Sequence, residues 1–185
     1  MKDSEKIRAP VLAAGGILVL ETSKPLIAIV RLRKDSSWVL PKGKLKPGED
    51  ALAGAKREVM EETGHDVSVH EFLGSMSHAA GSRLKVVQFW RMQTAGGPVR
   101  ELMNDVKAVK WLPLKQAIDA LTRPHEKVFL ANVGPAALKA TGQSAGEPAG
   151  LPVRDEGKQA ARSTLVETVR AWLRRVTRPV ADGMR

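Results

Sequence analysis

The apolar positions of the chain switch between two periods. Val11 to Leu20 is an apolar stretch interrupted only by Gly15 and Gly16, and Leu26-Ile27-Ala28-Ile29-Val30 is apolar throughout. Charge-free runs of this length predict strands buried on both faces. The small middle of the first, Ala13 to Gly16, leaves room for another backbone, a ligand or a helix to approach closely. Ser23-Lys24-Pro25 and Asp35-Ser36-Ser37 punctuate as turns. Trp38-Val39-Leu40 predicts a short strand, and Pro41 to Gly48 reads as a loop. The helical period then takes over from Asp50, a candidate N-cap, to about Thr63, with Gly64 as the stop. Gly54 inside that helix costs about 1 kcal/mol relative to Ala, which predicts close packing on a sheet. Two further strands are expected at Val67–Ser77 and Leu84–Thr94, joined by Ala79-Ala80-Gly81-Ser82, and a short one at Val106–Leu112. Leu114–Leu121 and His125–Ala140 predict helices, with a break at Gly134-Pro135.

After residue 140 the pattern changes. Thr141 to Pro152 has linker composition. Beyond it Leu165, Val169, Trp172 and Val176 recur at helical spacing among Arg162, Arg170, Arg174, Arg175 and Arg178. The expected organisation is a folded domain over residues 1–140, a linker over 141–155 and a basic amphipathic helix over 156–185. Residues 1–10 are polar and expected to be loosely attached. The terminal helix is expected to dock on the core or on a second subunit, a homodimer; contact with anionic membrane or nucleic acid is the sharper alternative.

Composition narrows the classes. The net charge is +10, with 21 Lys and Arg against 15 Asp and Glu over residues 1–133 and 9 against 5 over 134–185, so the excess is spread along the chain. A basic balance favours polyanionic partners. The absence of Tyr and the presence of only three Phe argue against a single-strand nucleic-acid platform. With no Cys, thiolate metal sites and disulfides are excluded. No apolar run reaches membrane-spanning length, and the polar N-terminus lacks the core of a signal peptide. A cytoplasmic location is the expectation.

The candidate chemistry lies between Gly43 and Gly64. Glu58, Glu61 and Glu62 stand at i, i+3 and i+4, one helical face with three like charges. Their repulsion becomes coordination once a hard divalent cation is bound. The preceding loop carries Lys42, Lys44 and Lys46 with Gly43 and Gly48, suited to phosphate. Arg57, adjacent to Glu58, projects off the carboxylate face and can fasten the preceding loop bidentately.

The spacing Gly43, Glu49, Arg57-Glu58-Val59, Glu61-Glu62, Gly64 resembles the Nudix hydrolase signature. The match covers 22 residues directly, and the surrounding order of elements from Val11 to Ala140 is similar to that family's domain. The resemblance implies an α/β (α+β) fold, a mixed sheet held between helices. It implies Mg2+ or Mn2+ on Glu58, Glu61 and Glu62, with one of these glutamates also a candidate base, and a Glu49–Arg57 ion pair beside them. A further carboxylate, Asp105 or Glu101, is expected to complete the site. The substrate is a small-molecule polyphosphate, with Arg31, Arg33, Lys42, Gly43 and Lys44 as candidate contacts. Trp38 to Leu45 looks like members that cleave dinucleoside polyphosphates or diphosphoinositol polyphosphates; a sanitiser of oxidised nucleoside triphosphates is the alternative. A non-catalytic nucleotide-binding regulator is the rival from another class, against which every motif carboxylate is present. One position departs from the family: His65 stands where an aliphatic residue is usual, and it is expected at the surface or semi-buried, with Val67 anchoring the loop instead.

Overall fold

The computed structural model describes residues 9–144. Its frame is β1 (Val11–Leu20), which pairs in parallel with β6 (Arg83–Thr94) along its whole length, Val11 opposite Lys85 and Leu20 opposite Thr94. On its other edge β1 meets β2 (Leu26–Leu32) over only two rungs, Val19–Ile27 and Leu20–Leu26. The two strands then diverge. The wedge between them holds β3 (Trp38–Val39), paired with β2, and β4 (Lys42–Lys44), paired with β1. β7 (Val106–Leu112) covers the outer edge of β2, and β5 (Ser68–Ala80) the outer edge of β6. The result is one mixed seven-stranded sheet.

Apolar side chains leave both faces of this sheet, so both need cover. One face, with Ala14, Leu18, Ala28 and Met92, packs on Ala55 and Val59 of α1 (Ala51–Thr63). The other, with Ala13, Ile17, Ile29, Val87 and Phe89, packs on α2 (Leu114–Ala120) and α3 (Pro124–Ser144) through Ala117, Phe129, Leu130 and Ala137. The expected mixed sheet between helices is the observed fold.

The local signals at α1 act as read. Asp50 caps it by accepting from the backbone N–H groups of Leu52 at 3.0 Å and Ala53 at 3.1 Å, and Gly64 ends it at φ 76°. Other expectations need correction. Lys42–Lys44 is a strand rather than loop, because its backbone completes the wedge beside β1. The small residues of β1 serve that approach: a Cβ on Gly15 would collide with the Pro41 carbonyl and Lys42. Gly54 faces the loop instead of the sheet, where Leu45 and Glu49 leave no space for a Cβ. α3 does not break at Gly134-Pro135. Ala131 and Pro135 are exposed, so the carbonyl that Pro135 leaves without a donor faces water. Gly134 packs against Leu114 of α2, and buried Leu130 and Ala137 hold the helix down on either side. α3 runs to Ser144, past the expected start of the linker. Most of the N-terminal segment (residues 1–8), the rest of that linker and the basic amphipathic helix at 156–185 lie outside the described residues. No described helix is long and apolar enough to cross a membrane.

Candidate active site

The site forms where β4 passes under the middle of α1. Gly43 is the contact point. A Cβ there would land on the Glu58 carboxylate, so only glycine lets that carboxylate lie against the strand backbone. One residue earlier, the Lys42 backbone N–H donates to Glu62 Oε2 at 2.7 Å. Two of the three helix carboxylates are thus held against β4, both buried. Glu61, on the same helical face, is about one-third exposed at 34%.

Burial dominates the electrostatics of the pair. It pushes the Glu62 carboxyl up to about 8, partly offset by Lys42 and reinforced by the charges of Glu58 and Asp105. Burial also raises Glu58, against the opposing pull of Arg57. Burial disfavours the charged form of both carboxylates, which is the condition a cation relieves.

Arg57 organises the other side. Its Nε donates to Glu49 Oε1 at 2.7 Å and its Nη2 to Glu49 Oε2 at 2.9 Å, the bidentate clamp expected from the sequence. Glu49 Oε2 also accepts the Lys46 backbone N–H at 2.8 Å, so the clamp fixes the loop before the helix. These contacts hold the Glu49 carboxyl down to about 2. The expectation that Arg57 points off the carboxylate face needs correction: Nη1 reaches Glu58 at 2.7 Å and Glu61 at 3.0 Å. The helix places Arg57 beside Glu58 and at i, i+4 from Glu61, so one guanidinium spans both sides.

The remaining candidates divide. Lys44 is exposed and lies next to Gly43. Lys42 does not present its ammonium at the surface; Nζ is buried, 2.8 Å from Glu126 Oε1, and donates to the Leu40 carbonyl at 3.0 Å. Arg31 donates to the Ser36 carbonyl and lies over the Trp38 ring, and Arg33 is exposed at the end of β2. Neither makes a contact with the carboxylate cluster among the described residues. Asp105 is brought close enough for its charge to raise Glu62, while its carbonyl accepts the Arg33 N–H at 2.8 Å. Glu101 is exposed, earlier in the same loop. That loop docks on the end of α1, with Met103 N–H donating to the Glu61 carbonyl and Val99 N–H to the Gly64 carbonyl.

His65 is buried, more deeply than the surface or semi-buried position expected. Its Nδ1 lies 2.8 Å from the Thr63 carbonyl and its ring meets Trp111 edge-on, centroids 5.1 Å apart. Val67 is buried as well, so both anchor the chain after the helix. Glu126 is the residue that sequence reasoning missed: it reads as an ordinary polar position in α3 and acquires its role through Lys42 and the Leu40 N–H, both distant in sequence.

Among the described residues no three acidic or histidine side chains form a ready coordination cage, since Arg57 Nη1 holds Glu58 and Glu61. The donor set still fits a hard cation: carboxylate oxygens on one helical face, two of them buried with excess negative charge, against a glycine that opens a cradle.

Comparison with known proteins shows the family. The NUDIX domain family model matches residues 9–133. An 8-oxo-(d)GTP phosphatase of Mycolicibacterium smegmatis is 31% identical over 137 residues, 69% of this chain and 42% of the relative. A bis(5'-nucleosyl)-tetraphosphatase of Mus musculus is 33% identical over 85 residues, 43% of this chain and 58% of the relative. The chain spans about half the length of the curated relatives it matches. Among solved structures, a binary complex of a C. elegans Ap4A hydrolase superposes with a TM-score of 0.63 at 24% identity, covering 70% of this chain and 98% of that one.

Proposed function

The chain belongs to the NUDIX domain family, and from that premise we propose that it is a divalent-cation-dependent pyrophosphohydrolase of nucleoside polyphosphates, with dinucleoside polyphosphates preferred. The observation that carries the reading is the apposition of Glu58 and Glu62 to the backbone of Lys42–Gly43, with Glu61 beside them on the same helix face.

Glu58, Glu61 and Glu62 are the residues to hold Mg2+ or Mn2+, with Asp105 nearest in support. The bound cation neutralises phosphate oxygens and makes water a better nucleophile. The chain's own residues do the rest. Gly43 seats the Glu58 carboxylate against β4, where a side chain would displace it. Lys44 contributes a point charge to them. Arg57 keeps Glu49 with Nε and Nη2 while Nη1 is free to release the carboxylates. A carboxylate of the cluster takes the proton of the attacking water as the new P–O bond forms and the anhydride P–O bond breaks. Two phosphorylated products leave.

The preference for a dinucleoside substrate draws on the loop Trp38–Leu45, its lysines, and the likeness to the tetraphosphatase and Ap4A hydrolase. A second reading, hydrolysis of oxidised nucleoside triphosphates, is favoured by the Mycolicibacterium relative. Incubating the full chain and Mg2+ with diadenosine tetraphosphate, 8-oxo-dGTP and a diphosphoinositol polyphosphate, with products identified by chromatography, separates them. The largest kcat/KM on diadenosine tetraphosphate is expected. A larger value on 8-oxo-dGTP selects the second reading, and no turnover of any substrate refutes both.

A further inference from the structure

The segment Leu40-Pro41-Lys42 makes contacts toward both helical layers. Toward α3 it meets Glu126, which is fully buried. Glu126 Oε2 accepts the Leu40 backbone N–H at 2.7 Å, and Oε1 lies 2.8 Å from Lys42 Nζ. Lys42 Nζ also donates to the Leu40 carbonyl at 3.0 Å, so ammonium, carboxylate and backbone close on one another. Toward α1 the same lysine gives its backbone N–H to Glu62 Oε2 at 2.7 Å. One residue on, Gly43 lies against the Glu58 carboxylate. A continuous path of hydrogen bonds and one ion pair thus runs from α3 through Lys42 to the carboxylate helix.

Packing alone does not account for this path. β1 sets how near the segment lies: Gly16 N–H donates to the Pro41 carbonyl at 3.2 Å, and the missing Cβ of Gly15 makes room for Lys42. Glu126 adds a hold on the two residues that flank Pro41. A hydrophobic pair of similar volume would fill the space without taking two charges out of water. What the carboxylate adds is direction, because its two oxygens accept from the Leu40 N–H and attract the Lys42 ammonium at the same time. The next cation, Arg123, stands off at 3.7 Å from Oε1 and leaves both contacts in place. Arg57 orients Glu58 and Glu61 from within α1, whereas the anchor of Glu62 is the Lys42 N–H.

We propose that Glu126 is a positioning residue for the carboxylate site: from α3, on the opposite face of the sheet, it orients the Lys42 backbone N–H, which in turn holds Glu62 in the direction a cation ligand needs. The role rests on the pyrophosphohydrolase reading. Among the described residues Glu126 makes no contact with Glu58, Glu61 or Glu62, and it acts through the Leu40-Pro41-Lys42 backbone. Its loss therefore loosens the aim of Glu62 without removing any group that holds metal.

Amide hydrogen exchange, read by NMR on the metal-free full chain, follows the Lys42 N–H without catalysis. Glu126→Gln is expected to speed exchange at position 42 about tenfold or more relative to the amides of the β1–β6 ladder. In steady-state kinetics with Mg2+ and diadenosine tetraphosphate it is expected to lower kcat about tenfold with KM little changed. Lys42→Met combined with Glu126→Gln separates position from stability: melting temperature should recover while kcat stays low. Should Glu126→Gln fail to fold by circular dichroism, the double variant and Glu126→Asp carry the same measurements. Wild-type exchange at position 42 in a folded variant overturns the positioning role, and so does a double variant that regains kcat together with stability, even where hydrolysis is found. Exchange at position 42 that depends on Glu126 in a protein without turnover upholds the role and refutes the hydrolase reading instead.

Discussion

Arg57 grips Glu49 with two parallel hydrogen bonds, Nε to Oε1 at 2.7 Å and Nη2 to Oε2 at 2.9 Å, while its third nitrogen holds Glu58 and Glu61. The loop that carries Lys46 and the helix that carries the carboxylates are therefore positioned by one side chain. Arg57→Lys cannot reproduce a planar fork with three separate contacts. We expect Arg57→Lys and Glu49→Gln each to lower kcat about 10- to 100-fold, as losses of groups that orient metal ligands do. Initial rates at saturating Mg2+ check this; rates within twofold of wild type would show that the clamp is dispensable.

Gly43 offers a cleaner separation of fold from chemistry. The atoms nearest a Cβ at that position are those of the Glu58 carboxylate, the end of a side chain that can swing away with the backbone unchanged. Gly43→Ala should melt close to the wild type yet lose activity about 100-fold, because a displaced ligand is enough to spoil the reacting geometry. A thermal scan alongside the rate measurement decides it, and an active Gly43→Ala would remove the glycine's assigned role.

Glu62 predicts a trade between stability and function. Its carboxyl is buried and pushed up to about 8, chiefly by desolvation. Gln keeps an acceptor for the Lys42 N–H without the buried charge. We expect Glu62→Gln to melt at or above the wild-type temperature in the absence of metal while kcat falls about 100-fold or more. Glu61, being partly exposed, should show the same loss of rate on Glu61→Gln with little change in melting. Full turnover by both variants would refute the metal site.

What the sequence revealed, and what it hid, follows from the range of each interaction. α1 was legible with both caps because Asp50, the helical period and Gly64 act within a few residues of one another. β1 and β2 were legible from charge-free apolar stretches of strand length. β4 was not, since Lys42-Gly43-Lys44 has no strand pattern and becomes one only by pairing with β1, some thirty residues away in sequence. Lys42 illustrates the same limit at the site. Its neighbours in sequence suggested a phosphate contact, and a partner 84 residues away in α3 took its ammonium instead. The full burial of His65 was not legible because it depends on Trp111, across the fold. The signature itself was legible because Glu49 through Glu62 lie within one loop end and the single helix α1 that follows it.

The Lys42–Glu126 pair should matter for stability. Both side chains are almost fully buried, 3% and 0% exposed, and Glu126 Oε2 also accepts the Leu40 N–H at 2.7 Å. Lys42→Met leaves a buried carboxylate facing hydrocarbon and should cost about 3–5 kcal/mol. Lys42→Met with Glu126→Gln removes the stranded charge and should recover part of that loss. Urea unfolding of the two variants checks the ordering; equal stability of both would show that the charge is not what matters.

The histidines on β5 and α3 give the pH dependence a definite sign. Burial first, then the charge of the facing His125, Lys85 and Lys42, lowers His78 from its ordinary 6.5. Burial, opposed by Glu126 and aided by Arg123, lowers His125, and burial with Arg91 lowers His70. The unfolded chain therefore takes up protons near 6.5 that the folded chain resists. Their contribution to stability is complete above that value and declines as pH falls from 6.5 toward the depressed folded values. Glu58 and Glu62, with raised carboxyls, work in the opposite direction on acidification, so the wild-type profile alone mixes two signs. The difference between wild type and His78→Asn/His125→Asn isolates the imidazoles. Between pH 7.5 and 5.5 the wild type should lose more melting temperature than the double variant, measured in the same buffers without metal. Parallel profiles for the two proteins would mean that the stacked pair titrates equally in the folded and unfolded chain.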